Sequence, residues 1–370
     1  MQTSLRAGGG VEPPASPEAS AQASPEPSPE APAGPTGPAG AVCTGRGRRV
    51  AVIVAAVVLL LVAVALSLAL GVRGVALRET WQALVDPVAG NVDHDVIRGQ
   101  RVPRTIIGVL AGAALGLAGG LAQAITRNPL ADPGLLGLNA GASLGIVVAA
   151  TAFGVVNPGV SVWFGFLGAA LAFVLVFAIG HGRPVHLALA GATVTALMVP
   201  ISTLLLFRDV DAFNQLRFWS VGALTGRDVD AVAGLWPFLL VGLVLALFVA
   251  HRLNGLALGD DVAAALGQSV GTTRLLAGVA IVALAGAATA LAGPIALVGL
   301  VVPHAARRLI GQDYRWVVPL CALLGPILLV AADIIGRLVR QDELEAGVVA
   351  ALIGAPVLVA VARGRRVAGL

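Results

Sequence analysis

From residue 50 onward, long apolar segments alternate with short polar breaks. The segments run over about 50–72, 103–125, 134–153, 160–180, 186–206, 234–252, 273–292, 295–310, 316–338 and 346–362. Most approach the roughly 20 residues that a helix needs to cross a bilayer; those at 295–310 and 346–362 are short. None shows the short alternating pattern of a membrane-barrel strand, and a helix satisfies its own backbone in hydrocarbon. The pattern predicts an all-α integral membrane protein with about ten transmembrane helices, in one polytopic domain over 46–370. Residues 1–45 are rich in Pro, Ala, Ser, Glu and Gly. They cannot bury a core and are expected to form a disordered tail. Arg46, Arg48 and Arg49 precede the first apolar run, an order that can mimic a signal peptide. No small-residue cleavage site is convincing, so the run is read as a retained first helix.

Composition agrees with the pattern. The 370 residues are 57% hydrophobic and 12% charged, with a mean hydropathy of +0.90. A soluble domain is nearer a quarter charged. The 47 glycines, with many Ala, Val and Leu, suit closely packed membrane helices. All 24 cationic residues are arginine. Without lysine, neither a P-loop nor a Schiff base can be built in this chain. The net charge of +4 is explained by arginines flanking the spans and needs no nucleic acid. Ten spans put both termini on one side. The loops on that side hold slightly more of the arginines, a small vote for cytoplasmic termini. The two cysteines, Cys43 and Cys321, belong to no metal-ligand cluster. No paired carboxylates, nucleophile set or phosphate loop stands out, so neither an enzyme nor a resident metal is expected.

Several features could carry function. Gly108, Gly112, Gly116 and Gly120 recur every four residues, leaving one helix face open to another backbone. That face either packs within the subunit or lines a dimer or translocation path. Arg101-Val102-Pro103-Arg104 opens the same helix, its arginines being interface anchors or a docking site for acidic groups. Asp333 and Arg337 stand four apart, the spacing of a helical ion pair. If that helix ends on the outer side, Arg337 can join the other two arginines. Leu256–Gly267, "LALGDDVAAALG", can form a short helix with an apolar face of Val262, Ala265 and Leu266, suited to a partner's groove or to a plain amphipathic loop. Ile125–Ala142, "ITRNPLADPGLLGLNAGA", interrupts two apolar segments with Asn-Pro and Asp-Pro, both turn initiators. His304, in "GLVVPHAARR", has no second ligand at metal spacing and is read as an interface histidine.

Taken together, "RVPRTIIGVLAGAALGLAGG", "NPLADPGLLGLNAGA", "LALAGATV", "LALGDDVAAALG", "GPIALVGLVVPHAARRLIG", "AADIIGRLVR" and "ELEAGVVAALIGAPVLV" resemble the FecCD-type permeases of ABC importers for iron-siderophore complexes, haem and vitamin B12. The stretches follow the family's order over about 50–365. The resemblance implies a vitamin B12-importer-like permease fold in a bacterial cytoplasmic membrane. It also implies alternating access by a pair of permease subunits, identical or paralogous. Two cytosolic ATPase subunits would use ATP and Mg²⁺, this chain binding no cofactor. An extracytoplasmic binding protein would deliver an iron(III)-siderophore, with vitamin B12 or haem as the alternative cargo. Carried over by motif, Arg101, Arg104 and Arg337 resemble docking arginines, and Asn128 and Leu130 a cytoplasmic gate. Leu258, Gly259, Asp260, Asp261, Val262, Ala265 and Leu266 resemble the helix that couples to the ATPase. A second family gate falls here on Pro184 and Val185, where some members carry small hydroxyl residues, and "ELEAG" replaces the usual "ELPVG". The rival class is an ion-coupled secondary carrier, for which Asp333 is the main ionisable candidate within a span. A non-transporting scaffold would leave the gate-like turn and short helix without a role.

Overall fold

In the computed structural model the described residues are 45–364, except 72–73, 156, 182, 208, 210–212, 214–215, 217–218, 227–228 and 340–342. The N-terminal tail, Cys43, Arg73, Arg208, Arg217, Arg227 and Arg340 lie outside the described residues. Residues from Val42 onward form one unit, entirely helical among the described residues.

Helix α1 spans Arg46–Ala69 and is followed by two short helices, α2 (Leu77–Val85) and α3 (Val92–Val96). A π-helical turn, Ile97–Arg101, leads from α3 without a break into α4 (Val102–Thr126). Then come α5 (Leu138–Phe153), α6 (Pro158–Gly180), α7 (Pro184–Leu206), α8 (Val229–Ala257) and the short α9 (Asp260–Ala265). Helix α10 (Val270–Ile281) continues through a second π turn, Val282–Gly286, into α11 (Ala287–Ala292). The chain closes with α12 (Val298–Ile310), α13 (Tyr314–Val339) and α14 (Ala346–Gly364). Seven of these stretches are long and apolar enough to cross a bilayer. The remaining apolar segments form α5, α12 and α14, so each of the ten segments becomes a helix. These three are shorter: the apolar part of α14 runs Ala346–Ala360, α5 has 16 residues and α12 has 13, α12 reaching about 20 Å at 1.5 Å per residue.

Local chemistry sets the ends. Asn157 accepts a hydrogen bond from the Gly159 amide and Pro158 occupies the first turn of α6. Ser269 caps α10 through the Thr272 amide. Helix α12 begins three residues later than the apolar segment because Leu297 holds φ at +69° just before it, a costly angle for a branched side chain. Helices α2 and α3 lie in a stretch too short and polar to be predicted by hydropathy, and the π turns leave no mark in the apolar periodicity.

Helix α4 lies at the centre. Within its apolar window 78% of residues are buried, against 17% for α1 and 22% for α7. Its glycines make that position possible. A Cβ on Gly112 would stand 2.7 Å from the backbone carbons of Gly325 and Pro326 in α13. One on Gly116 would meet the Cys321 carbonyl, also in α13. On an adjacent face, Gly119 meets the backbone of Gly299 in α12. Of the two roles open to the four-residue glycine repeat, the structure shows packing within the subunit. Gly141 and Gly145 of α5 make the same kind of contact with Gly168 and Phe164 of α6.

Gly112→Ala is expected to destabilise the fold by about 1–3 kcal/mol, since two backbones must separate. Gly120→Ala should be tolerated, its new Cβ meeting only Cys321 Sγ at 3.6 Å and Pro303 at 4.0 Å. Thermal unfolding of the two variants in detergent compares them directly.

Candidate functional site

Two polar clusters occupy the opposite ends of α4. With 25 residues, the helix holds them about 37 Å apart.

At its N-terminal end the three arginines singled out by sequence come together. Arg104 donates from Nε to Asp333 Oδ1 at 2.7 Å and from Nη1 to Glu343 Oε2 at 2.6 Å. Arg337 pairs with Asp333 Oδ2 at 3.0 Å, one turn along α13, so the expected i,i+4 ion pair forms. The same guanidinium donates to the carbonyls of Ser67 and Leu70, both at 2.9 Å, and to Ser67 Oγ at 2.8 Å. Arg101 donates to the carbonyls of Leu68 and Ala69 at 2.9 and 2.8 Å. Arg101 and Arg337 therefore cap the last turn of α1, whose terminal carbonyls lack helical partners and carry the negative end of its dipole. Gly71 lets the Arg101 guanidinium in, because a Cβ there would lie 2.8 Å from Nη2.

All three arginines and Asp333 are buried. Such charges must be paired to be tolerated, and here each is met by carboxylates or carbonyls, with Arg337 Nε alone among the cluster's buried nitrogens left without a hydrogen-bond partner. A cavity of about 320 Å³ opens beside them, lined by the arginines with Gly71, Gln100 and Glu343. Glu343 holds φ at +51°, a left-handed geometry uncommon outside glycine. Sequence reading missed Ser67, Gly71 and Glu343 as members of this cluster. Only Glu343 left a signal, in the "ELEAG" motif.

At the C-terminal end, Arg127 stops α4 in a left-handed conformation, φ +49°. Asn128 Oδ1 accepts from the Leu130 amide at 2.9 Å, and Asp132 Oδ1 from the Gly134 amide at 2.8 Å. Each is a local turn built around a proline. The Asn128–Asp132 turn and the first residues of α7 border a cavity of about 520 Å³, where Asn128, Asp132 and Leu135 face Pro184 and Val185. The structure thus joins Asn128 to the departing second-gate position. Leu130 lies exposed at the turn tip and is not part of this lining.

Helix α9 sits beside the turn. Gly259, at φ +123°, swings the chain out of α8. Ala263 is buried, while Leu258, Val262 and Leu266 are 67%, 43% and 64% exposed, and Asp261 and Ala265 are exposed too. Asp260 pairs with Arg127 and, at 2.9 Å, with Arg274 of α10. A few residues up α4, Gln123 donates to the carbonyls of Gly299 and Leu300 at 3.3 and 3.2 Å and accepts from Arg307. No cluster of metal-ligating residues occurs among the described residues.

The Asp132 residue is half-buried, but its carboxyl is enclosed against Gly134 and Gly299. Burial pushes its pKa up from 3.8 to about 6, offset in part by the Gly134 amide.

Among the described residues, then, the chain is all-helical, with buried arginines at one end of α4 and a proline-bounded turn beside an exposed short helix at the other. Residues 59–364 match the FecCD transport family, and the chain belongs to that family. It is 43% identical over 305 residues to the ferric enterobactin transport system permease protein FepD of Escherichia coli, covering 81% of this chain and 91% of that one. Identity to the iron(3+)-hydroxamate import system permease protein FhuB of Bacillus subtilis is 39% over 324 residues, 86% and 84% of the two chains. The cobalamin import system permease protein BtuC of Halobacterium salinarum is 38% identical over 275 residues, 73% and 74% of the two. Among solved structures, an inward-facing metal-chelate type ABC transporter superposes with a TM-score of 0.75 at 26% identity, over 85% of this chain and 99% of that one.

Asp333→Ala leaves two buried guanidinium groups without their shared carboxylate and should cost roughly 3–5 kcal/mol. Glu343→Ala, at the more exposed edge of the cluster, should cost less; denaturation midpoints rank the two. The Asp132 proton is held more tightly folded than unfolded, so its stabilising contribution is full below about pH 4. It declines as pH rises through about 6. Asp132→Asn should flatten that part of the stability profile.

Proposed function

We propose that this chain is the permease subunit of an ATP-driven importer that moves an iron(III)-siderophore across the cytoplasmic membrane by alternating access. The observation that carries the ATP-driven reading is the exposed apolar face of α9 beside the turn that ends α4. Leu258, Val262 and Leu266 expose side chains that water does not favour, and a groove on a cytosolic ATPase would cover them. The chain supplies no lysine for an ATP site of its own. The iron-chelate cargo is favoured over cobalamin because the iron-chelate permeases cited above are more similar to this chain than the cobalamin permease is.

In this reading the Arg101 end faces outward and the Arg127 end faces the cytoplasm, with both termini inside. A second permease subunit completes the pathway, and the gates are formed at the Asn128–Leu130 turn and the start of α7. The cavity beside Arg101, Arg104 and Arg337 receives an acidic side chain of the binding protein. The arginines keep their internal partners, so their fixed positive field steers that carboxylate rather than a freely swinging side chain. An ion-coupled carrier is disfavoured by Asp333, which is locked between two arginines near a helix end instead of standing alone at mid-membrane.

Proteoliposomes holding the permease with its ATPase and binding protein should take up ferric siderophore only with ATP inside. Uptake driven by an ion gradient without the ATPase would reverse the assignment. Val262→Asp with Leu266→Asp should abolish co-purification of the ATPase while leaving the permease folded. Gln100→Glu adds a negative charge to the outer cavity without touching its ion pairs. It should weaken binding-protein association about tenfold, equivalent to roughly 1.4 kcal/mol; unchanged affinity at low salt would remove the docking role.

A further inference from the structure

Arg127 stands between the gate turn and the coupling helix, and its bonds reach both sides of the bend that separates α8 from α9. Its Nε donates to the Leu256 carbonyl at 3.0 Å, in the last turn of α8, and its Nη2 to Asp260, the first residue of α9. Between those two acceptors lies Gly259, whose φ of +123° is open to glycine and strained for any other residue. The guanidinium therefore spans a hinge.

On its other side Arg127 is continuous with the turn. It is the left-handed cap of α4, and Pro129 restricts the backbone just beyond. Asn128 hooks the Leu130 amide, and the Ala131 amide bonds back to the Asn128 carbonyl at 3.0 Å. The segment from Arg127 to Ala131 is thus one stiff unit. Arg274 holds the same Asp260 oxygen from α10, so Asp260 is shared between a helix packed on α4 and α8 and the turn that borders the cavity beside α7.

Stability does not account for this arrangement. The Arg127 and Asp260 side chains are 33% and 42% exposed, and an ion pair so open to water adds little to the fold. What it does is fix position. We infer that Arg127 is a positioning residue that carries movement of α9 to the Asn128–Leu130 turn, with Asp260 as the contact through which the movement passes. This rests on α9 seating in the ATPase.

The test uses the complete importer in nanodiscs, with Cys43→Ser and an environment-sensitive fluorophore on a cysteine at either position 262 or position 135. In the otherwise unsubstituted protein, ATP with vanadate should change both signals. With Arg127→Gln the signal at 262 should persist and the signal at 135 should be lost, with substrate moved per ATP falling in parallel. Arg127→Lys, which keeps a cation at the turn, should recover part of the 135 response. A normal response at 135 in Arg127→Gln overturns the inference. So does silence at both positions in that variant, because Arg127 would then merely hold α9 in place. Silence at 262 in the unsubstituted protein would instead sink the seating of α9 in the ATPase, and the link with it.

Discussion

The contact of backbone on backbone between α4 and its neighbours is the constraint on which the rest of this permease depends. In hydrocarbon there is little hydrophobic force to bring helices together, so close packing must do it. Gly112 against Gly325, and Gly119 against Gly299, bring α13 and α12 to a separation no larger residue would permit. Once α4 is held there, its two ends are placed as well. One delivers Arg101 and Arg104 to the close of α1 and to Asp333 on α13. The other delivers Arg127 to the bend between α8 and α9. A wider crossing would leave the charges at both ends without partners.

The two ends solve the problem of charge differently. At the arginine end the groups are buried, and the arrangement is closed: carboxylates answer Arg104 and Arg337, and helix carbonyls answer Arg101 and Arg337. Desolvation makes such a cluster intolerant of losing one member. It also makes it rigid, as the proposed docking of a binding protein at this end would require. At the Arg127 end the charges stay partly in water. They can loosen and re-form at small cost, as befits a region proposed to move in each transport cycle. The fold thus keeps its fixed electrostatics and its adjustable electrostatics at opposite ends of one helix.

Much of this was legible in the chain. Ten apolar segments became ten helices because hydropathy is summed over some twenty neighbouring residues and survives any detail of packing. The Asn-Pro and Asp-Pro turn formed where proline forbids helix, and the Asp333–Arg337 pair formed because four residues along a helix are one turn apart in any context. The apolar residues of α9 face outward as its amphipathic pattern indicated. What the pattern could not reveal were the helices α2 and α3, whose polar, short sequences carry no membrane signal, and the π turns, which shift the register without changing composition.

The sequence by itself determined an all-helical membrane protein, the number of apolar helices, the position of the Asn-Pro and Asp-Pro turn and the identity of the charged residues, because each of these is written in local composition and spacing; the family was legible only through the resemblance of its motifs. Only the tertiary structure decided what those charges do. Arg104 finds Asp333 across 229 residues, and Arg127 finds Asp260 across 133. Ser67, an unremarked hydroxyl in the first span, becomes a partner of Arg337. No local rule connects residues so far apart. Their meeting follows from how closely glycine lets the helices approach, and that distance is set by all the helices together.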